Sequence, residues 1–375
     1  MKRFRHVSCI ALVCVVFLSP LLHKVKVSKK PCNVTLRDDE EDHVQYATDE
    51  DHVHEIADVG QGNENIHGDH SNTHAMPVTH DSPCKTADRP NTGKQTRAFV
   101  AGVKFDIYIY DHASVGDIVS HSIKRSGSWE KTDTEKIMSH LSRSKEGVLL
   151  DVGANLGWFT VTALQLGHKV FSFEPFNSNV ELLCASIAEI KDLDERFRLY
   201  NLGLDYRSRS CELFQQKDRN IGDTHSICDE SARKQFINKG YLPLGWMNTT
   251  TLDDALSDGF FDLADHIDVM KVDVEGFEHA VVDGGNLFFQ SIYAPTYVYM
   301  EMVSSMMGDA GGLNDRGIHR LIGVLLRLAN YGYELDASVE ASKELKLQSS
   351  PLEQIVRAVD GKNILFVRQQ ISSLV

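Results

Sequence analysis

The sequence predicts an α/β protein with a doubly wound, mostly parallel sheet, and three observations lead to this prediction. From residue 147 onward, short apolar runs alternate with segments of helical periodicity, as in a sheet that is covered by helices on both faces. The first apolar run, Val148–Val152, ends at a turn between Gly153 and Gly157, and a helical segment follows at once. Hydrophobic residues make up 42% of the chain and charged residues 25%, which is ordinary for a globular protein.

The predicted helices and strands follow from local patterns along the chain. Alternating residues at 99–110 predict a strand or hairpin, and helical patches follow at 115–124 and 132–142, the second with a capping box at Thr132. Strands are predicted at 148–152, 168–174, 197–201, 267–273, 296–301, 333–336 and 363–368. Helices of the main body are predicted at 158–166, 178–190, 318–331 and 352–359.

Composition divides the chain into four segments. Residues 1–30 contain an uncharged apolar run between basic residues without a small-residue cleavage signal, which favours a retained single-pass signal anchor over a cleaved peptide. Residues 31–94 are acidic, rich in histidine and without an apolar period, so a disordered stem is predicted. Residues 95–146 are interpreted as a strand and helix extension of the main domain, which occupies residues 147–375.

Two glycosylation sequons indicate on which side of a membrane the main domain lies. The sequons begin at Asn33 and Asn248, and both follow the apolar run, as a lumenal domain requires. The predicted protein is therefore a single-pass type II membrane protein of the secretory pathway that faces the Golgi or ER lumen. A secreted protein with a cleaved signal is the alternative.

The cysteines allow several disulfide patterns. Cys184 lies among apolar residues of a predicted helix and is expected to be a buried free thiol. The other cysteines of the lumenal part are Cys32, Cys84, Cys211 and Cys228. They permit three pairings, of which Cys32–Cys84 and Cys211–Cys228 close the shorter loops. A reduced cytosolic chain is the alternative.

The turn after the first strand predicts a nucleoside site. Gly153 and Gly157 lack a Cβ where a ligand approaches the backbone, and the first N–H groups of the next helix point into the same crevice. Glu174, at the end of the second strand, is placed to accept hydrogen bonds from two ribose hydroxyls. The Gly-x-x-x-Gly spacing differs from the dinucleotide fingerprint, so a nucleoside without a diphosphate fits better.

Four ordered motifs resemble those of FkbM-type S-adenosylmethionine-dependent methyltransferases. They lie at residues 151–157, 173–175, 250–254 and 270–278. The similarity extends from about residue 128 to residue 333. It implies a Rossmann-like methyltransferase fold with seven strands, the last of them antiparallel and located here at residues 363–368. It also implies S-adenosylmethionine as cofactor and O-methylation of hydroxyls, often on sugars or glycosylated metabolites, whereas the acceptor does not follow from the fold.

The resemblance assigns donor-binding roles by position. The residues expected to meet the methionine end of the donor are Asp151, Gly153, Asn155 and Gly157. Glu174 takes the ribose, and Asn201 and Leu202 border the adenine. The long segment 205–246 is either a cap near the acceptor or a surface insertion without a role. No metal-ligand spacing is specific enough to predict a required ion.

The predicted catalytic residues lie at the ends of the fourth and fifth strands, where this class of fold binds its ligands. Methyl transfer from a sulfonium releases a neutral group and needs no general acid, but a hydroxyl acceptor must lose a proton to a nearby base. Asp273 and Glu275 are predicted to orient the acceptor and act as the base, with Glu301 opposite them and His279 as a substitute base. Alternatively, Glu275 and Glu278 only favour the dipole of the following helix.

Together these features predict an S-adenosylmethionine-dependent O-methyltransferase that modifies hydroxyls of glycans or glycosylated metabolites in the secretory pathway. Its expected partners are the small-molecule donor, a hydroxyl acceptor, which the resemblance suggests is a carbohydrate, and a membrane crossed by one N-terminal span. A net charge of −14 argues against a nucleic-acid partner. Two alternatives stay open: a donor-binding interaction module without catalysis, and a methyltransferase that acts on protein or lipid.

Overall fold

The computed structural model describes residues 84, 93–111, 116–216, 224–307, 315–336 and 345–369. The predicted anchor at residues 1–30 and nearly all of the predicted stem lie outside the described residues. Within the described part of the chain, no helix has both the length and the apolar character needed to cross a membrane.

A hairpin and two helices precede the central sheet. They are β1 (Gly93–Val100), β2 (Val103–Tyr110), α1 (Ile118–Ser126) and α2 (Lys131–Leu141). The strands β1 and β2 pair antiparallel and are joined by a two-residue loop, Ala101 and Gly102. Both loop residues have positive φ, as a type I′ hairpin turn requires. Of the two expected alternatives, a strand or a hairpin, the structure has the hairpin, and its first strand begins at Gly93, six residues before the predicted start.

The start of α2 differs from the prediction. Glu130 is the N-cap residue, with left-handed φ of 38° and ψ of 49°, and no side chain caps the helix. Thr132 lies inside the helix, so the predicted capping box is wrong. The reason is tertiary: the hydroxyl of Thr134 donates to the Trp129 carbonyl oxygen and accepts from the Trp158 indole, so this turn is fixed by packing.

The remaining elements fall into three consecutive stretches. The first contains β3 (Val148–Val152), α3 (Trp158–Gln165), β4 (Lys169–Phe173), α4 (Asn177–Ile187), α5 (Leu193–Arg196), β5 (Phe197–Tyr200) and β6 (Gly203–Leu204). The second contains β7 (Arg209–Gln216), β8 (Thr224–Ile227), α6 (Glu230–Asn238) and β9 (Tyr241–Thr250). The third contains α7 (Leu252–Ser257), β10 (Val269–Val272), α8 (Glu278–Asp283), a short 3₁₀ helix (Phe288–Gln290), β11 (Tyr297–Met302), α9 (Asp315–Asn330), β12 (Tyr333–Leu335), α10 (Leu352–Val359) and β13 (Lys362–Arg368).

Seven strands form the central sheet in the order β12-β13-β11-β10-β3-β4-β5. The pairs from β11 to β5 are parallel, and β13 runs antiparallel to both of its neighbours. This is the mostly parallel sheet with an antiparallel last strand that the sequence predicts. Every residue of β3 and β10 is buried, because both faces of the sheet are covered.

Successive side chains of the central strands enter two separate cores. Leu150 and Met270 pack on one face with apolar residues of α9. Leu149 and Val269 pack on the other face with the hairpin, α2, α3 and α4. The hairpin and α2 thus pack in the same core as the central strands.

The disulfides differ in part from the expectation. Cys84 is bonded to Cys184, so the predicted free thiol at Cys184 is wrong. Cys84 packs against the core that contains helix α4, which brings the two sulfurs together although 100 positions separate them in the chain. The predicted Cys211–Cys228 pairing is confirmed. The expected Cys32–Cys84 pairing is wrong, because Cys84 is already bonded to Cys184. Cys32 itself lies outside the described residues.

The described residues from β6 to β9 form a second sheet. Its strands follow the order β6-β9-β7-β8, with β7 antiparallel to both β8 and β9. Helix α6 covers the face that carries Phe214, through contact of that ring with Phe236. The opposite face presents Leu213 and Met247 to the crevice described below. We call this segment, residues 205–250, the cap.

Candidate active site

A crevice opens at the carboxyl ends of β3, β4 and β10, beneath the cap. Gly153 and Asn155 line it from the turn after β3, and Glu174 lines it from the end of β4. Asp273 and Glu275 line it from the loop after β10. The cap closes the crevice from the other side with apolar and hydroxyl side chains: Leu213, Thr224, Ser226, Met247 and Thr249.

Glu174 organises the inner wall of the crevice. Its carboxylate accepts hydrogen bonds from the backbone N–H groups of Asn155 at 2.7 Å and Phe176 at 2.9 Å, and from Asn179 Nδ2 at 3.2 Å. Burial raises the pKa of Glu174 to about 7, although these three donors act in the opposite direction. A carboxylate has about four acceptor positions, so Oε2 can accept one further hydrogen bond.

The two glycines of the turn serve close contacts within the protein. A Cβ on Gly153, where φ is +80°, would overlap the Asp273 carbonyl oxygen. A Cβ on Gly157, where φ is +92°, would lie 2.7 Å from Leu183 Cγ of helix α4. Gly153 lines the crevice, whereas Gly157 is not among its lining residues. Gly157 is therefore explained by the packing of α3 on α4.

Two other predicted donor-site residues lie just behind the crevice wall. Asp151 is fully buried, its Oδ2 accepts from Thr160 Oγ1 at 2.7 Å, and its Oδ1 has no hydrogen-bond partner within the described structure. Asn201 Nδ2 donates to the carbonyl oxygens of Glu174 at 2.9 Å and Pro175 at 3.1 Å, so it braces the turn after β4. Leu202 lines the crevice.

Asp273 is held by a buried lysine that the sequence analysis did not include in the site. Lys271 Nζ donates to Asp273 Oδ2 at 2.9 Å and lies 4.7 Å from the centre of the Phe159 ring. Burial alone would lower the pKa of Lys271, but the carboxylates of Asp273, Asp151 and Glu130 raise it above the ordinary value. Lys271 therefore stays protonated and forms an ion pair with Asp273.

The loop after β10 presents Glu275 to the crevice. Glu275 has a left-handed φ of 53°, and Glu278 fixes the loop by accepting from the backbone N–H groups of Val274 at 3.1 Å and Gly276 at 3.3 Å. Burial raises the pKa of Glu278 to about 7. Glu278 therefore orders the loop through its carboxylate as well as lying at the start of α8.

The other two predicted catalytic residues lie beyond the crevice lining. Glu301, on β11, is close enough to Asp273 for their charges to interact, and burial followed by that interaction raises its pKa to about 7. His279 lies with Nδ1 3.2 Å from the Gly276 carbonyl oxygen, and burial together with the Arg320 charge lowers its pKa to about 4. His279 is thus neutral at physiological pH and does not line the crevice.

One group of potential metal ligands is found among the described residues. It consists of Asp205, Cys211 and Cys228, whose ligand atoms lie within 4.8 Å of one another. The two sulfurs form a disulfide, and Asp205 Oδ2 accepts from Arg209 Nε at 2.6 Å. Because the sulfurs are oxidised to a disulfide and the carboxylate is bonded to Arg209, the group lacks the thiolates that a metal would require.

The mostly parallel sheet whose last strand in sequence is antiparallel, the glycine turn after β3 and the acidic end of β4 define a Rossmann-like methyltransferase fold. Residues 151–335 match the family described as Methyltransferase FkbM domain. The chain therefore contains an FkbM methyltransferase domain, and its cofactor is S-adenosylmethionine.

Solved structures show only distant similarity. The methyltransferase FkbM of Methylobacillus flagellatus KT is 13% identical with a TM-score of 0.32, over 59% of this chain and 43% of that chain. Precorrin-6y C5,15-methyltransferase of Geobacter metallireducens GS-15 is 11% identical with a TM-score of 0.29, over 56% of this chain and 76% of that chain. The first match spans less than half of that protein. No curated protein sequence matches the chain.

The crevice residues fit S-adenosylmethionine. Glu174 can accept from a ribose hydroxyl, and Leu202 and Phe176 offer apolar surface to the adenine. The carboxylate of Asp273, which lines the crevice, suits the cationic methionine end, whereas Asp151 is fully buried and lies outside the lining. When bound, the cofactor supplies a methyl group on a sulfonium centre.

Proposed function

We propose that this protein is an O-methyltransferase whose acceptor is a hydroxyl of a glycan or glycosylated metabolite in the secretory pathway. The observation that carries the proposal is the pair of carboxylates, Asp273 and Glu275, on the crevice wall. Methylation of a hydroxyl needs a base for the departing proton, and such a base must lie within hydrogen-bond reach of the acceptor oxygen.

The electrostatics support Asp273 as the group that receives the acceptor hydroxyl. Lys271 Nζ donates to Asp273 Oδ2 at 2.9 Å and fixes the position of this carboxylate. Glu275 is held beside it on a loop that Glu278 orders. A base near the acceptor contributes roughly 10²–10⁴-fold to the rate, and orientation of the two reactants contributes more. His279, neutral but outside the lining, is the less favoured base.

The disulfides support a lumenal location. Cys84–Cys184 and Cys211–Cys228 fit an oxidising compartment, because disulfides are rare in reducing ones. Asn248, the acceptor position of the second sequon, is exposed on β9 and is accessible to a glycan. With the apolar run near the N-terminus, these features support a single-pass type II protein that faces the Golgi or ER lumen.

The experiment is methyl transfer from labelled S-adenosylmethionine by the purified full chain into secretory glycans, proteins and lipids, assayed side by side. We expect label in the glycan fraction that Asp273→Asn and Glu275→Gln reduce without loss of donor binding. Label in protein or lipid alone would replace the glycan with another acceptor. Donor binding without any transfer would indicate the interaction module instead.

A further inference from the structure

A row of polar side chains crosses the carboxyl edge of the central sheet beyond the donor crevice. Asp151 on β3 pairs in register with Lys271 on β10, and Lys271 pairs with Tyr299 on β11. Because side chains alternate, Asp273 and Glu301, two positions further along their chains, belong to the same face. Of this row, only Asp273 lines the crevice among the described residues. The row therefore begins at the crevice and extends toward β11 and β13.

The antiparallel strand adds an amide to this row. Asn363 on β13 is the register partner of Glu301 on β11. Leu365, two residues later, packs in the core on the Lys271 face, so Asn363 belongs to that face as well. Asn363 is exposed, whereas Lys271 is buried, so the row runs from the interior to solvent.

Glu130 reaches the same row from the start of α2. Its left-handed backbone conformation, φ 38° and ψ 49°, is unfavourable for a residue with a Cβ. Helix α2 contacts β10, and the Glu130 carboxylate lies close enough to Lys271 and Asp273 for their charges to interact. No local pattern in the sequence marks Glu130, because only the tertiary fold brings α2 beside β10.

The row contains more hydrogen-bond acceptors than donors. Glu130, Asp273 and Glu301 carry carboxyl groups, which in their ionised form act only as hydrogen-bond acceptors. The hydrogen-bond donors beside them are Lys271 and Asn363. Asp151, fully buried next to Lys271 in register, has the unpartnered Oδ1 noted above. A ligand that donates several hydrogen bonds from adjacent positions complements this arrangement. Neighbouring hydroxyl groups of a carbohydrate have that chemistry.

We propose that Glu130, Glu301 and Asn363 form an acceptor subsite that binds vicinal hydroxyl groups of a carbohydrate next to Asp273. The inference rests on the proposed function, because it names the residues that hold the acceptor. In the reaction, the acceptor oxygen forms a bond to the methyl carbon as the methyl–sulfur bond breaks. The hydroxyl proton passes to Asp273, and the donor leaves as a neutral thioether.

The test uses the full chain, labelled S-adenosylmethionine and two acceptor probes. The first probe is a pool of oligosaccharides released from secretory glycoproteins, and the second is the same pool after periodate cleavage of vicinal diols. The variants are Glu130→Gln and Asn363→Ala, the latter at an exposed strand position that tolerates truncation. Glu135→Gln is the matched control, because Glu135 lies on α2, exposed and 3.9 Å from Lys131.

We expect Glu130→Gln to raise the KM for the untreated pool by about tenfold or more, the usual effect of losing a charged hydrogen bond. Asn363→Ala should raise this KM by about twofold to tenfold, the usual effect of losing a neutral hydrogen bond. The donor Kd of both site variants, measured by calorimetry, should stay within about twofold of wild type. The control Glu135→Gln should change neither the KM nor the donor Kd. The periodate-treated pool should no longer be methylated by the wild-type chain. Weaker donor binding in Glu130→Gln would assign Glu130 to the donor site and overturn the subsite.

Two other outcomes separate the two proposals. An active wild-type chain whose two site variants keep the wild-type KM overturns the subsite and leaves the proposed function standing. A folded wild-type chain that binds the donor and methylates neither pool overturns the proposed glycan function, and the subsite with it.

Discussion

Gly153 holds the turn after β3 against the loop that carries Asp273, and replacement by alanine measures that role. At φ +80°, an alanine is strained by about 1–2 kcal/mol. Its Cβ would also overlap the Asp273 carbonyl oxygen and lie 3.3 Å from Val274 Cγ1, and overpacking of this kind costs about 1–3 kcal/mol. The free energy of unfolding should therefore fall by about 2–5 kcal/mol in Gly153→Ala.

Gly167→Ala is a control that separates strain from overlap. Gly167 has φ +89°, but no heavy atom lies within 4 Å of a Cβ built there. It should lose only the strain of about 1–2 kcal/mol in urea unfolding. Donor affinity by calorimetry should fall in Gly153→Ala, because the loop with Asp273 must move, and stay unchanged in Gly167→Ala. Equal unfolding free energies for the two variants, with wild-type donor affinity in both, would refute this reasoning.

Three further predictions concern a titrating carboxyl, the cap and the glycan. Burial raises the pKa of Glu278 from 4.5 to about 7, so the native state retains a proton that the unfolded state releases and stability falls as pH rises through that window. Between about pH 5 and pH 8, the free energy of unfolding measured in urea should therefore fall less in Glu278→Gln than in wild type. An identical fall in both proteins would contradict the raised pKa of Glu278. Joint replacement of Cys211 and Cys228 by serine removes a link across 17 positions, worth about 3 kcal/mol, and should speed proteolysis of the cap; unchanged proteolysis would speak against it. Asn248→Gln should remove one endoglycosidase-sensitive band shift from the expressed chain, and a wild-type chain without that shift would exclude the glycan.

The parallel sheet was predictable because each central strand is a continuous apolar run bounded by a distinct turn. Val148–Val152 is buried along its whole length, and its bounds match the prediction. The N-cap at Glu130 was not predictable, since local signals favour Thr132 and only the packing of Thr134 against Trp129 and Trp158 selects the other residue.

The candidate site was predictable where a motif determines the backbone, and less so where long-range contacts position side chains. Gly153, Glu174 and Asp273 line the crevice as their positions at strand ends suggest. Lys271 was not predicted as a site residue because it lies inside the apolar run of a predicted strand. Glu130 was not predicted because it is distant in sequence from the other site residues. The Cys84–Cys184 bond was missed because 100 positions separate its members.

The central claim is that the crevice beside Glu174 binds S-adenosylmethionine, and calorimetric titration of the purified wild-type chain tests it most directly. We expect one donor per chain, with affinity at least about tenfold weaker in Glu174→Ala, because the variant loses a buried charged acceptor that also orders the Asn155 and Phe176 backbone. A folded wild-type chain that shows no heat of donor binding, or a Glu174→Ala variant with wild-type affinity, would contradict the claim.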